Sequence, residues 1–416
     1  MKKSKVFRIL VFIIIIFPVS LSSCNKDDDN LPKEAVPIIL TQDQVALIGS
    51  GNSFAFDIFK RVLSGTPGSN NVMISPLSIS YALSMTVNGA DGSTRDSILK
   101  ALRVNGLSVD ALNKSYKSLT EALLSVDKRV LMSIANSVWT ENNFIIRQAF
   151  INILTEYYKA DSKSFDIDDP TAPDKINAWI SDKTNGLIKN MVDKLSDNDV
   201  MLLINAIYFK GKWSSEFDKS KTTQMPFYKN SGLSADVPMM KQEKEYKVFR
   251  GSGFIFAEFP YGQGNFVMDV IVPDDNNGLQ NILPSVTDSN LTTWVSQLSN
   301  TKVDLSFPKF KYGFKIKLKD ILSDMGMSIA FHDGADFSNI SDQFDLLINE
   351  VTHQSFIETN EEGTEAAAAT VVEIGVTSFP PSLLVLKLDH PFLYIIRETT
   401  TNSIIFMGRV SDPLMN

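Results

Sequence analysis

The chain has 416 residues, a formal net charge of −8, a pI near 5.1 and one cysteine, and 44% of its residues are hydrophobic. An acidic chain with scattered lysines lacks the basic face that nucleic-acid binding requires, and one cysteine excludes an internal disulfide or a CxxC metal site. The GxSxG, HExxH, P-loop and GxGxxG patterns are also missing, so the sequence predicts neither an enzyme nor a bound metal or cofactor.

The N-terminus combines a basic segment, Met1–Arg8, with the apolar run Ile9–Phe17. This order is typical of an export signal, and the run is shorter than the roughly 20 residues of a spanning helix. Leu21-Ser22-Ser23-Cys24 resembles the lipobox of bacterial lipoproteins. The resemblance implies that residues 1–23 are a signal peptide and that lipid on Cys24 anchors the mature chain to a membrane. The alternative is that Cys24 is simply a small apolar residue.

The acidic stretch Asn25–Asn30 follows directly and resembles the surface-export signals of some Gram-negative lipoproteins. This implies an outer-membrane lipoprotein exposed on the cell surface, or an extracellular protein if it is released. A solvated tether without an export role explains the same residues. On either interpretation we expect residues 24–40 to be a tether and residues 41–416 to form one domain.

Helical patterns dominate the first half of that domain. Phe54, Ile58 and Val62 recur at intervals of four, and Pro76 opens a second segment that we expect to end at Gly89. A third helix is predicted to begin near Ser93, because Ser93 and Asp96 resemble a capping box.

Strand patterns dominate the second half. Val303, Leu305 and Phe307 alternate with polar residues, and Phe392–Ile396 and Ser403–Met407 are short apolar runs. Helices early and strands late predict an α+β fold.

The segment Glu361–Val372 is the most informative part of the chain. Its four consecutive alanines favour a helix, but it leads into Val376–Pro381, whose two prolines prevent one, so an exposed loop fits better. The letters EEGTEAAAAT resemble the hinge of the reactive loop of inhibitory serpins. The hinge residues are Gly363, Thr364, Glu365, Ala366, Ala367, Ala368, Ala369 and Thr370.

Further matches to serpins occur in family order along the chain. They are Ile74–Ser80, Val87–Ala90, Asn205–Trp213 and Leu388–Tyr394. The resemblance implies an α+β serpin fold with three β-sheets, about nine helices and an exposed reactive-centre loop at about residues 361–386.

The resemblance also implies a serine-type endopeptidase inhibitor that acts as a suicide substrate. A protease that attacks the loop forms an acyl-enzyme, and insertion of the cut loop into the main sheet distorts its active site before hydrolysis. Alternate strand residues face opposite sides, so Thr364, Ala366, Ala368 and Thr370 would enter the packed interior. All four are small.

Other positions are carried over from the family one at a time. A polar cluster beneath the main sheet, the shutter, matches Ser75, Pro76, Ser78, Asn205 and His353. The breach, where insertion begins, matches Trp213, Lys309 and Glu361, with Lys309 and Glu361 expected to form an ion pair. The other two histidines, His332 and His390, have no catalytic context, and we expect a structural role for His390.

Family spacing puts the scissile bond at Thr377-Ser378, with Val376-Thr377 as the neighbouring alternative. No Lys or Arg lies between Thr364 and Leu386, so a trypsin-like pocket has nothing to bind and elastase-like proteases fit best. Phe379 leaves chymotrypsin-like targets open, and subtilisin-like enzymes are a further option. We expect a monomer. The rival interpretation is a non-inhibitory serpin that acts as a binding module or chaperone.

Overall fold

The structure is a computed structural model that describes residues 34–196, 198–343, 345–363 and 383–415. Nine α-helices lie in these ranges. Their bounds are α1 Gln42–Gly65, α2 Pro76–Val87, α3 Gly92–Ala101, α4 Val109–Ser125, α5 Gln148–Tyr158, α6 Ala172–Lys183, α7 Leu279–Ile282, α8 Asp288–Ser296 and α9 Lys319–Leu322.

Fourteen β-strands lie in the same ranges. Their bounds are β1 Val72–Ile74, β2 Val130–Glu141, β3 Asp161–Phe165, β4 Met201–Gly211, β5 Thr223–Tyr228, β6 Ser234–Gly251, β7 Phe254–Tyr261, β8 Phe266–Pro273, β9 Ser299–Pro308, β10 Phe310–Lys317, β11 Thr352–Thr359, β12 Leu384–Lys387, β13 Phe392–Glu398 and β14 Ile404–Val410.

The predicted start of α2 at Pro76 is correct, and α3 begins at Gly92, next to the predicted Ser93, although its capping residue differs. Thr41 and Gln44 form a reciprocal capping box at the start of α1, and Pro76 is the first residue of α2. The capping residue of α3 is Asp91 rather than Ser93, because the Asp91 carboxylate accepts the backbone N–H of Gly92 at 2.8 Å. Ser93 therefore lies inside the first turn of that helix.

The strands of the described residues form three sheets. The large sheet has the order β1-β14-β13-β8-β7-β6-β9-β12, with β5 also paired to β6. A three-stranded sheet has the order β3-β2-β4, and β10 pairs with β11 in a two-stranded sheet. The α+β class, the three sheets and the nine helices agree with the sequence-based prediction.

The large sheet is buried at its centre. Every residue of β8, β13 and β14 is buried, and these strands pair with neighbours on both sides. Helix α2 packs against both β4 and β14 and so lies between the large sheet and the three-stranded sheet. A second, smaller apolar cluster covers the opposite face of the three-stranded sheet, where Trp179 and Ile180 of α6 pack near Ile204 and Ala206 of β4.

One charged cluster lies inside the large sheet. The Arg397 guanidinium donates to Asp269 and to Glu258, each at 2.6 Å, and all three side chains are buried. Lys247 contacts the other oxygen of Glu258 at 3.1 Å. Burial raises the pKa of Asp269 to about 6, and the nearby Arg397 offsets this only in part.

The folded body begins before the boundary that the sequence suggested at residue 41. The backbone of Val36 exchanges two hydrogen bonds, both 2.8 Å, with the side-chain amide of Asn265, and the Ile38 N–H donates to Thr400. The predicted signal peptide and Cys24 lie outside the described residues. In the described part of the chain, no helix is both long and apolar enough to cross a bilayer.

Candidate functional site: a slot between two strands

Strands β4 and β11 form the walls of a slot. Each is the last strand of its sheet, and no ladder joins the two sheets among the described residues. At one end Lys212, just after β4, pairs with Gly363 through an antiparallel bridge. At the other end a cavity of about 440 Å³ is bordered by Leu203 of β4, His353 of β11 and Leu83 of α2. Among the described strands the slot is therefore closed at one end, and no strand lies between its walls along the rest of their length.

The two faces of β4 differ in a regular way. Asn205 points toward α2, where it meets Ser78, and Phe209 packs against Phe266 and Phe406 of the large sheet. Ile204, like the other even-numbered positions nearby, points toward α6. The odd-numbered residues of β4 thus define the inner face of the slot.

The residues predicted as the shutter meet beneath the slot. The Ser75 N–H donates to Nε2 of His353 at 3.0 Å, and the Ser75 hydroxyl donates to the carbonyl of Ile405 at 2.8 Å. Ser78 donates from its backbone to the Ser75 hydroxyl at 3.2 Å and from its side chain to Oδ1 of Asn205. This network ties both walls to the start of α2.

The local sequence explains why these groups converge. Ser75 caps α2 and Pro76 occupies its first position, where a missing N–H costs nothing and the fixed φ suits the helix. The cap turns the Ser75 backbone toward β11, so that one residue serves both the helix end and the slot wall.

His353 is held in its neutral form. Its imidazole is buried, and burial lowers its pKa to about 4. Because Nε2 accepts the Ser75 N–H, the ring proton must sit on Nδ1. A second proton on Nε2 would face that N–H and remove the hydrogen bond between wall and helix.

Sequence reasoning missed Asn136 of β2, which extends the shutter. Asn205 donates to the Asn136 amide oxygen at 2.6 Å, and Asn136 donates to the carbonyl of Tyr158 at 2.6 Å. The signal available was an amide close to the apolar residues Ile134, Ala135 and Val138 of this strand. Such a residue needs polar partners, which predicts a network without identifying its members.

Trp213 marks the closed end of the slot. Its indole N–H donates to the carbonyl of Asn360 at 3.0 Å, and its backbone N–H donates to the carbonyl of Glu362 at 3.0 Å. The ring stacks on Tyr261 with 4.4 Å between centroids and 9° between planes. The chain that leaves β11 is therefore fastened to the end of β4.

The expected ion pair between Lys309 and Glu361 is present. Lys309 Nζ lies 2.9 Å from Oε2 of Glu361, and the Thr222 hydroxyl donates to Oε1 at 2.8 Å. Burial alone would raise the pKa of the Glu361 carboxyl, but the hydrogen bonds from Lys309 and Thr222 outweigh it and hold the pKa below its ordinary value. The carboxylate is thus charged, although almost wholly buried.

Gly363 has a backbone that only glycine adopts easily. Its φ is +136°, and a Cβ there would lie 2.2 Å from the carbonyl oxygen of Gly211. Any side chain at Gly363 would push the loop root away from β4.

Unpartnered polar atoms gather along β11 and the residues just after it. Buried side-chain atoms that lack a partner in the described part of the chain are Ser84 Oγ, Gln354 Oε1, Thr359 Oγ1, Glu362 Oε2 and Ser411 Oγ. Three of these five lie on the chain that borders the slot. Buried polar atoms usually have partners, so this concentration of orphan atoms marks the strand as unusual.

Several predicted residues cannot be located. The hinge from Thr364 to Thr370 and the predicted bond Thr377-Ser378 lie outside the described residues, and of the hinge only Gly363 is described. His390 is buried between the Asp389 carboxylate and the Pro273 carbonyl, at 2.8 Å from each, and both ring nitrogens are held by these partners. No group of three or more His, Cys, Asp or Glu among the described residues could hold a metal ion.

Comparisons with known proteins agree on one family. The family model described as Serpin (serine protease inhibitor) matches residues 50–413. An uncharacterised serpin-like protein of Thermococcus kodakarensis is 32% identical over 388 residues, covering 92% of this chain and 89% of that protein.

Solved structures give the same result. The native state of the thermophilic serpin tengpin superposes with a TM-score of 0.81 at 32% identity, covering 91% of this chain and 97% of tengpin. Human thyroxine-binding globulin, solved in complex with thyroxine, has a TM-score of 0.82 at 26% identity, covering 90% of this chain and all of that one.

Proposed function

The chain belongs to the serpin family, and we propose that it is an inhibitory member that traps serine proteases by inserting its reactive loop between β4 and β11. The observation that carries this proposal is the slot, because its closed end fixes the register of an incoming strand. The same register can be read from both walls.

The β4 wall gives the first register. Lys212 and Gly363 are antiparallel partners, so each further pair takes one step back along β4 and one step forward along the loop. Continuing this ladder pairs Thr364 with Gly211, Ala366 with Phe209, Ala368 with Ile207 and Thr370 with Asn205. Directly opposite residues share a face, so all four loop residues would enter the inner face.

The β11 wall gives the second register independently. Asn360 and Gly363 exchange both backbone hydrogen bonds, at 2.9 and 3.2 Å, and so close a hairpin. Continuing this hairpin pairs Thr370 with His353, a buried inner-face residue of β11. The two registers therefore agree on bringing the Thr370 hydroxyl between Asn205 and His353, the two shutter residues on the walls.

The loop sequence suits this alternation. The inner positions from 364 to 374 read Thr, Ala, Ala, Thr, Val and Ile, whereas both acidic residues of the segment, Glu365 and Glu373, fall on the outer positions. A charge on the inner face would have to be buried without a partner, at a cost of several kcal/mol. The pattern admits insertion without that cost.

The covalent step belongs to the protease. Its serine Oγ attacks the carbonyl carbon of the bait residue, an ester bond forms, the peptide bond breaks, and the proton taken from the serine passes to the departing amine. The freed loop then fills the slot, and a bait near Thr377 travels about 50 Å at roughly 3.3 Å per residue. The attached protease is displaced with it, and loss of its active-site alignment preserves the ester.

The bait determines the target class. We propose Thr377-Ser378 as the scissile bond, with Val376-Thr377 as the neighbour, and elastase-like serine proteases as the main targets. A small β-branched residue suits a shallow specificity pocket, and no basic residue is available for a trypsin-like one. Chymotrypsin-like and subtilisin-like enzymes are secondary targets for the same loop.

Incubation with an elastase tests the proposal directly. We expect an SDS-stable adduct of the two proteins and a new N-terminus at Ser378 on the released fragment. Thr377→Arg should transfer trapping to trypsin-like enzymes with the slot unchanged. Cleavage without adduct for every protease tried would favour a non-inhibitory binding module or chaperone.

The cellular location is a separate proposal that rests on sequence alone. We propose that lipid on Cys24 holds the monomeric protein on the outer membrane, exposed at the surface, and that release would leave it extracellular. The lipobox-like Leu21–Cys24 and the acidic Asn25–Asn30 support this.

Metabolic labelling with a fatty acid tests the anchor. The parent should incorporate label and fractionate with membranes, and Cys24→Ala should do neither. An unlabelled parent would contradict lipidation, and protease shaving of intact cells would report surface exposure.

A further inference from the structure

Thr359, the last residue of β11, has a buried hydroxyl that takes no part in the contacts described above. The side chain is 1% exposed, and its Oγ1 has no hydrogen-bond partner in the described ranges. Buried hydroxyls nearly always have a partner, so an orphan on a slot wall calls for a physical reason. By strand alternation it shares the inner face with Ser355 and His353.

The hairpin at the loop root determines which residue would meet it. Asn360 and Gly363 form the hydrogen-bonded pair of that hairpin. If the hairpin continued on insertion, the next pair, Thr359 with Thr364, would be of the non-hydrogen-bonded kind. Side chains in such pairs approach more closely, with Cα atoms about 4.5 Å apart, and Thr–Thr pairs there form side-chain hydrogen bonds.

The opposite wall leaves room for this contact. The β4 partner of Thr364 in the continued ladder is Gly211, which has no side chain. A Cβ on Gly211 would come within 2.9 Å of Tyr261 and Phe209, so this position is reserved for glycine by its own neighbours. The first inner position of the slot is thus bounded by an unpartnered hydroxyl on one side and by bare backbone on the other.

From these observations we infer that Thr359 is a positioning residue for the first step of loop insertion, and that its hydroxyl receives the side chain of Thr364. The inference rests on the proposed inhibitory function and assigns a residue to its earliest step. The hydroxyl has no partner among the described residues of the intact protein, and insertion would supply one. The new hydrogen bond would favour the inserted state and speed entry of the strand.

The test compares hydroxyl and shape at one position in the full mature chain. Thr359→Val keeps the branched shape and removes the hydroxyl, whereas Thr359→Ser keeps the hydroxyl. Thr352→Val, the same change at the other end of β11, is the matched control. The probe is an elastase, and the readout is the number of inhibitor molecules consumed per protease trapped, alongside the acylation rate.

Perfect trapping consumes one inhibitor molecule per protease, and any further molecules are lost as cleaved substrate. We expect Thr359→Val to increase the number of these further molecules by about two- to tenfold, which corresponds to the free energy of one hydrogen bond, and to leave the acylation rate unchanged. Thr359→Ser should restore the parent value, and Thr352→Val should stay within twofold of it. Thr364→Val should have a similar effect, and the double variant Thr359→Val with Thr364→Val should be no worse than either single one.

Additive effects in the double variant, or an unchanged number of further molecules for Thr359→Val, would overturn the inference. A parent that forms no adduct and gains no heat resistance when its loop is cut would instead overturn the proposed function. If the parent gains heat resistance without trapping, the same variants are compared by that gain. Thr359→Val should then show a smaller gain than Thr359→Ser, and equal gains would refute the inference.

Discussion

The large sheet and the slot are built from similar strands, but the large sheet is complete and the slot is not. In the large sheet β8 and β13 have hydrogen-bonded neighbours on both sides and every residue is buried. At the slot, β4 and β11 each lack a partner on one side in the described part of the chain, and orphan polar atoms collect there. The slot therefore has fewer backbone hydrogen bonds than the large sheet, and a further strand of the same chain could supply the missing ones.

The largest predicted effect is on thermal stability, because a strand inserted in the slot would give β4 and β11 the partners that the strands of the large sheet already have. Cleavage within Val376–Phe379 should raise the melting temperature by on the order of 20 °C, because roughly ten new backbone pairs form along two walls at about 0.5 to 1.5 kcal/mol per hydrogen bond. Calorimetry of cut and uncut protein measures this. An unchanged melting temperature after complete cleavage would refute strand insertion.

A variant that blocks loop insertion should leave β4 and β11 without a partner strand between them. Ala368→Arg puts a charge on the inner face opposite Ile207, and an unpaired buried charge costs several kcal/mol, so trapping should fall at least 100-fold and the protein should become a substrate. Ala367→Arg is the matched control, because in the proposed register its side chain would lie on the outer face.

The number of inhibitor molecules consumed per protease trapped distinguishes the two variants. Equal trapping by Ala368→Arg and the parent would contradict the register derived from Gly363. Equal loss in both variants would show that charge at the hinge matters but the face does not.

The smallest of the three predicted effects is that of acid on stability, because acid should destabilise the slot and stabilise the large sheet. His353, in the slot, has a folded pKa of about 4, below its unfolded value near 6.5. His353 therefore contributes fully to the free energy of unfolding above pH 6.5, and about 3 kcal/mol of this contribution is lost as the pH falls toward 4. Asp269, in the large sheet, has a folded pKa of about 6, above its unfolded value near 3.8. Its contribution to the free energy of unfolding is therefore full below pH 3.8 and is lost as the pH rises through 6.

Denaturant unfolding of the uncut protein between pH 4.5 and 7.5 separates these contributions. His353→Gln should flatten the loss of stability toward acid, and Asp269→Asn should steepen it. The same pH slope in the parent and in His353→Gln would contradict a neutral buried imidazole in the slot.

The sequence predicted the fold well where local pattern and family resemblance coincide. The periodic residues of α1 and the Pro76 start of α2 required no tertiary information, and the strands β9, β13 and β14 lie where their apolar runs predicted. The predicted capping box of α3 was wrong because Ser and Asp are both capping residues, and spacing alone cannot decide which side chain reaches a free N–H.

Long-range polar contacts were predictable only through resemblance. The pair Lys309 with Glu361 spans about fifty positions of the chain, and no local rule joins them. Asn136 was missed because its partners come from β4 and from the end of α5. The early start of the body at Val36 was missed for a similar reason, since it depends on the side chain of Asn265.

The bridge between Lys212 and Gly363 has a kinetic consequence. Ordered chain structure usually begins with an unfavourable nucleus, because several residues must be fixed before the first contacts form, and then grows by easier propagation. Here the first contact between loop and wall exists in the intact protein. In the proposed mechanism, insertion after cleavage would therefore need only propagation from a fixed origin, without a search for register. This is the condition under which a moving strand can outrun the hydrolysis of an ester.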